Sequence, residues 1–217
     1  MIDGFGGYRA RLVEELRGRG VEDLAVLHAF ATTPRHLFVP EALRSRAYED
    51  AALPVGRGQT ISQPSTHAAY LQILNLRGHE RVLEIGTGTG YQAALLSCLA
   101  AQVFTVERIP ELASQARQAL EAAGVANVTV LTGDGTIGWR PYAPYDAILV
   151  AAAGPRVPEP LIEQLADGGC LVMPVQGAGA QELVRLTREG AHVASETLGA
   201  ADFVRLIGRH GFETGAP

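Results

Sequence analysis

Up to about residue 80 the apolar positions recur at helical spacing. From Arg81 onward, short apolar runs bounded by glycine, proline and polar residues alternate with helical stretches. This pattern predicts an α/β chain: a helical cap followed by a doubly wound, mostly parallel sheet. Leu12, Val13 and Leu16 form one stripe of a helix from Tyr8 to Arg17, stopped by Gly18-Arg19-Gly20. Asp23 is placed to cap a second helix that runs through Ala31 ahead of Pro34, and Glu41 to Ala47 reads as a short third. A loop is expected from Asp50 to Pro64, then a helix from Ser65 to Leu76 closed by Gly78. Strands are expected at Arg81 to Ile85, Gln102 to Glu107, Val128 to Thr132, Ala147 to Ala151 and Cys170 to Val175. The intervening helices are Tyr91 to Leu99, Pro110 to Ala123 and Leu161 to Leu165, with a turn at Asp167-Gly168-Gly169. Leu183 to Thr187 and His192 to Thr197 read as a terminal antiparallel pair, and the residues after His210 as a loose tail. No repeat or linker divides the pattern. A single domain over 1–217 is expected, with cap and substrate loop in 1–80 and the sheet in 81–210.

The 217 residues, 47% hydrophobic and 19% charged, suit a globular chain with a sizeable core. A net charge of -5 and the absence of a Lys/Arg run leave no electrostatic footprint for nucleic acid. No stretch is long and apolar enough to span a bilayer, and the N-terminus lacks a basic region followed by an apolar core. A cytoplasmic, monomeric protein with no nucleic-acid or membrane partner is expected. Cys98 and Cys170 form no CxxC and read as buried thiols, and the six histidines lack the short spacings of a metal site.

The chemistry concentrates where the first strand ends. In Glu84-Ile85-Gly86-Thr87-Gly88-Thr89-Gly90 an acid precedes three glycines at alternate positions, giving G-x-G-x-G where a dinucleotide fingerprint is G-x-G-x-x-G. Such glycines let the chain turn sharply while its backbone closes on a ligand. Glu107 ends the next strand about 20 residues on, where Rossmann-like folds grip ribose hydroxyls; alone it would read as a solvated strand-end acid. Asp134, between Gly133 and Gly135 at a third strand end, is a candidate for an adenine amino group, with an ordinary turn aspartate as the alternative.

The glycine loop resembles the first motif of class I S-adenosylmethionine-dependent methyltransferases. The segment Ala52-Leu53-Pro54-Val55-Gly56-Arg57-Gly58-Gln59-Thr60-Ile61-Ser62-Gln63-Pro64 is more specific. It is similar to the signature of the protein-L-isoaspartate (D-aspartate) O-methyltransferases, repair enzymes for the carboxylate left when Asn deamidates or Asp isomerises. Pro34-Arg35 with Phe38-Val39, Gly133-Asp134-Gly135, Ala143 to Ile148, Val157-Pro158 and Pro174-Val175 match that family's pattern in order. The resemblance runs from about Val21 to Leu206. It implies a Rossmann-like fold, S-adenosylmethionine as cofactor, and damaged proteins and peptides containing L-isoaspartate as substrates.

It also implies residue roles. Ser62 is the catalytic serine that holds the acceptor carboxylate, with Val204 beside it as a substrate contact. Thr60, Ile61, His67, Glu84, Gly86, Thr87, Gly88, Glu107, Asp134 and Gly135 are the cofactor contacts, and no metal is required. Three positions depart from the pattern. Arg205 stands where Pro is usual in Phe203-Val204-Arg205-Leu206, Ser65 where Tyr or His is common, and Gly154 where many members have Pro. From the residues alone, Ser62 could be a helix cap, His67 a core histidine, Arg205 either a partner for a peptide carboxylate or a solvated charge, and Trp139 and Tyr142 packing residues.

A carboxylate with a pKa near 4 is ionised at neutral pH, so the reaction needs positioning rather than a general base. The glycine-flanked elbow of a nucleophilic hydrolase is absent around Ser62. The alternatives kept open are a class I methyltransferase for another peptide carboxylate and a non-catalytic cofactor-binding relative. An NAD-dependent oxidoreductase stands behind both, on glycine spacing.

Overall fold

The computed structural model describes residues 4–213. Helix α1 (Gly6–Gly18) buries Leu12 and Leu16, and α2 (Leu24–Thr32) starts at Asp23, whose carboxylate accepts from the backbone N–H groups of Ala25 and Val26. Such a cap is worth about 1 kcal/mol. Glu41–Arg46 forms a 3-10 helix, not an α-helix, after a first 3-10 turn at Arg35–Phe38.

The expected loop from Asp50 to Pro64 contains a β-hairpin, β1 (Leu53–Gly56) and β2 (Gln59–Ile61). Its turn residues Arg57 and Gly58 both have positive φ, 55° and 67°. That is the requirement of the tight turn whose twist suits a two-residue hairpin. Arginine rarely adopts this conformation, so the dipeptide carries only half of the usual signal. Helix α3 (Pro64–Leu74) stops at Asn75 in the left-handed conformation, short of Gly78. Asparagine tolerates that conformation and closes the helix by itself.

The sheet follows. After β3 (Arg81–Ile85) come α4 (Tyr91–Ser97), β4 (Gln102–Glu107), α5 (Pro110–Ala122), β5 (Val128–Thr132), β6 (Tyr145–Val150), α6 (Glu159–Glu163), β7 (Leu165–Gln176), β8 (Gln181–Glu189) and β9 (His192–Ala201). The strand order is β5-β4-β3-β6-β7-β8-β9, parallel through β7 and antiparallel beyond it. Asp167-Gly168-Gly169 is no free turn but an irregularity inside β7, where Leu165 pairs with Tyr145 and Cys170 already with Ala147. The strand is longer than its apolar run because the bulge carries its polar residues.

Alternate residues feed the two faces. Val82, Val103 and Leu149 join a core with α1 to α4, while Leu83, Phe104 and Ile148 join a second core on the opposite face. The tail expected after His210 folds back through residue 213. Phe212 N–H donates to the Leu206 carbonyl at 2.7 Å, and Arg209 N–H to Asp134 Oδ2 at 2.8 Å. Residues 214–217 of that tail lie outside the described residues. No helix among the described residues is long and apolar enough to cross a membrane.

Candidate active site

Strand order reverses between β3 and β6, and the crevice above their carboxyl ends is where ligands collect in such sheets. A cleft lies there, lined by the loops that follow the strands. Its floor is the glycine loop after β3, one side is Glu107 at the end of β4, and Gly135 and Ala151–Ala152 follow β5 and β6. The hairpin and its exit, Thr60 to Ser62, form the opposite wall with His67 of α3, and Val204 to Ile207 close the top.

The three glycines do different work. Gly86, Gly88 and Gly90 all have positive φ, which L side chains rarely adopt. A Cβ on Gly90 would press on Ala116 and Leu120 of α5 at 3.3 Å, so this residue serves packing; beside Gly88 there is open space. The Gly88 N–H donates to Glu107 Oε2 at 2.9 Å, and the Ile109 N–H to Oε1 at 3.0 Å. Each Glu107 oxygen therefore has one protein donor and capacity for one more, which suits two vicinal hydroxyls. Gly135 must be glycine because a Cβ would lie 2.4 Å from Ile85 Cγ2.

Two expected contacts sit off this wall. Glu84 is fully buried beneath the loop: Thr105 Oγ1 donates to its Oε2, and Thr87 Oγ1 bonds to Thr105 Oγ1 at 2.6 Å. It reaches the cleft only through those hydroxyls, and its Oε1 has no partner. Asp134 lines a shallower hollow next door with Arg108, Gly208 and Phe212. Its Oδ1 accepts from both the N–H and the hydroxyl of Thr136, and Oδ2 from Arg209, leaving room for one further donor on Oδ2.

Burial raises the Glu84 carboxyl to about 8. Between about 4.5, where an exposed glutamate titrates, and about 8, the unfolded chain has released this proton and the folded chain keeps it. Stability therefore falls as pH rises across that window, by about 1.4 kcal/mol per unit for one proton, and levels off above it. Glu84→Gln is expected to remove this component, so that its melting temperature declines less than that of the wild type between pH 5 and 8. Parallel melting curves of the two proteins over that range would assign the slope elsewhere.

His67 takes the opposite shift, pushed down to about 3 by burial and by the nearby Arg35 charge. The ring is neutral, with Nδ1 donating to Gln92 Oε1, and Nε2 is left as an unpartnered acceptor on a residue that lines the cleft. Tyr91 and Gln92 complete this buried end. Neither was marked by the sequence, because both occupy a helix start where packing residues are expected.

A second hollow shares Thr60, Ser62, Ala151 and Val204 with the first and extends outward over Ala52, Thr66, Tyr70, Asp202 and Phe203. Ser62 and Val204 thus stand where two cavities meet. Ser62 is not the cap of α3: the N-cap position is Gln63, with no side-chain cap bond, and Pro64 fills the first helical turn.

The sequence model of the family described as Protein-L-isoaspartate(D-aspartate) O-methyltransferase (PCMT) matches residues 8–211. The chain belongs to this family. A protein-L-isoaspartate O-methyltransferase of Methanoculleus marisnigri is 52% identical over 206 residues, 94% of each chain. Protein-L-isoaspartate O-methyltransferase 1 of Rhodopseudomonas palustris is 52% identical over 217 residues, 98% of this chain and 88% of the relative. Among solved structures, one protein-L-isoaspartate O-methyltransferase superposes with a TM-score of 0.86 at 31% identity, over 94% of this chain and 67% of that one. A Plasmodium falciparum structure in complex with S-adenosyl-L-homocysteine shares the fold, with a TM-score of 0.81 at 22% identity, over 91% of this chain and 97% of that one.

The departures from the family pattern have local explanations. The Arg205 guanidinium lies over the Phe212 ring, 4.8 Å from its centroid, pinning the returning tail. Ser65 N–H donates to Asp50 Oδ1 at 2.8 Å, and its hydroxyl accepts from Gln63 Nε2. Gly154 pairs with Pro174 and Gln176 of β7, and a Cβ there would come within 2.9 Å of the Arg156 carbonyl.

Proposed function

We propose that this chain methylates the free α-carboxylate of L-isoaspartyl residues in damaged proteins and peptides, with Ser62 and Val204 holding the acceptor and the glycine loop and Glu107 holding the cofactor nucleoside. The observation that carries this reading is the placement of Ser62 and Val204 on the shared wall between an inner cleft and an outer, peptide-sized hollow. One compartment suits a cofactor and the other an extended chain, and the lining they share, Thr60, Ser62, Ala151 and Val204, is where the two ligands can meet.

S-adenosylmethionine, when bound, supplies a methyl group on a cationic sulfur, which a carboxylate oxygen accepts as the C–S bond breaks and its electron pair returns to sulfur. The residues present fit such a ligand: two half-satisfied Glu107 oxygens, open space at Gly88, and the unpartnered His67 Nε2. Glu84 and Asp134 contribute to this proposal at one remove, Glu84 by holding Thr105 and Thr87, and Asp134 by its remaining acceptor site and its hold on the returning tail.

The Ser62 hydroxyl donates to the acceptor and fixes which oxygen faces the cofactor. His67, neutral at every physiological pH, removes no proton from an acceptor that is already ionised. Orientation and exclusion of water then supply the rate. The test is transfer of a labelled methyl group from the cofactor to an isoaspartyl peptide. Incorporated label is expected to be released by mild base, as a carboxyl ester must be. Label stable to base would place the methyl on another atom and reject the proposal.

A further inference from the structure

Ser62 is backed by a buried cation that lines neither cavity. Arg35 is fully buried, in the 3-10 turn that follows α2. Its Nη2 donates to the Ser62 carbonyl at 2.8 Å, its guanidinium lies over the Tyr91 ring with the carbon 4.6 Å from the centroid, and Nε and Nη1 have no hydrogen-bond partner. Asp50 favours the charged guanidinium from a distance, while its own contacts are to the Ser65 N–H and to Arg19 at 3.2 Å.

A buried charge without a carboxylate in contact is costly, and an apolar side chain of similar size is often as stable or more so, so packing alone does not account for Arg35. Burial accordingly pushes the guanidinium below its ordinary value.

We infer that Arg35 is a positioning residue, which turns the Ser62 carbonyl away from the acceptor and supplies the fixed positive charge by which the site takes an ionised carboxylate in preference to a neutral group. This rests on the reading of Ser62 as the acceptor's anchor. A carbonyl oxygen facing the acceptor would repel it; held back by Arg35, the same residue presents its hydroxyl. The charge is buried and touches Ser62 and Tyr91, which both line the inner cleft, and attraction through protein interior is stronger than in solution. It has a further consequence for turnover. Once the carboxylate has become a methyl ester its charge is gone, and the attraction that held the substrate no longer holds the product.

The test compares binding of two peptides that differ only at the acceptor, isoaspartate in one and its neutral amide, isoasparagine, in the other, by calorimetry with S-adenosyl-L-homocysteine present. The wild type is expected to bind the acid roughly tenfold or more tightly. Arg35→Gln keeps a donor for the Ser62 carbonyl but removes the charge, and is expected to bring the ratio near one while changing affinity for S-adenosyl-L-homocysteine much less than the ratio. Arg35→Lys restores the charge and is expected to recover most of the ratio. A structural role alone would lower the melting temperature without moving the ratio.

Equal binding of acid and amide by the wild type overturns the inference without any variant. So does a wild-type ratio in Arg35→Gln. Wild-type protein that methylates no isoaspartyl peptide defeats the underlying reading of the site, whereas active wild type with an unmoved ratio in Arg35→Gln defeats only the role of Arg35.

Discussion

Glu107→Ala is expected to weaken binding of S-adenosylmethionine by a hundredfold or more. Glu107 is buried at the end of β4 and accepts one backbone N–H on each oxygen, from Gly88 and Ile109, so the carboxylate is fixed before any ligand arrives. Each oxygen can then take one ribose hydroxyl. A hydrogen bond to a charged group is worth about 1.5 to 3 kcal/mol, and two of them amount to at least a hundredfold in affinity. Part of the loss comes from the loop, since the Gly88 N–H loses its acceptor. Titration calorimetry reads the effect, and near-wild-type affinity in a folded variant would mean that the nucleoside lies elsewhere.

Ser62→Ala is expected to lower methyl transfer tenfold to a hundredfold while leaving cofactor affinity within about twofold. The hydroxyl is one hydrogen bond to a carboxylate, about 1.5 to 3 kcal/mol. The backbone around it does not depend on the side chain: Arg35 holds the Ser62 carbonyl, and Asp50 holds the Ser65 N–H. The loop should therefore keep its shape, and kcat rather than stability should carry the change. Wild-type turnover by the variant would leave Ser62 as a wall residue only.

The arrangement proposed to hold the cofactor was legible in the sequence because its signals are local. The glycines at 86, 88 and 90 sit between a strand and a helix, and Glu107 ends the neighbouring strand; parallel pairing of β3 with β4 suffices to bring them together. The substrate side was not legible from the residues themselves. Ser62 in isolation resembles a helix cap, and only the family resemblance of the surrounding segment assigned it a role. The structure removes the cap reading, since Gln63 occupies that position.

What escaped the sequence is what depends on distant contacts. Nothing near Arg35 indicates that its guanidinium will meet a carbonyl 27 residues later. The hairpin before Ser62 was missed because Arg57 takes a left-handed conformation that glycine or asparagine would have announced. Glu84 was expected on the ligand because the family resemblance assigns it to the cofactor loop. The pleat instead directs its side chain inward, onto Thr105 of the adjacent strand. Even the tail, polar and glycine-bearing, is fixed by Asp134 and Thr136 from across the sheet.

The claim on which everything rests is that Ser62 and Val204 place a backbone-proximal carboxylate against the cofactor. In isoaspartate the free carboxylate is attached directly to the α-carbon, whereas in ordinary aspartate it lies one methylene further from the main chain. A misplacement of roughly 1 Å can cost a hundredfold in rate. The most direct measurement is mass spectrometry of paired peptides, identical except for L-isoaspartate or L-aspartate at one position, incubated with the enzyme and S-adenosylmethionine. The account predicts a gain of one methyl group on the isoaspartyl peptide and at least a hundredfold slower modification of its partner. Equal methylation of both peptides, or of neither, would contradict it.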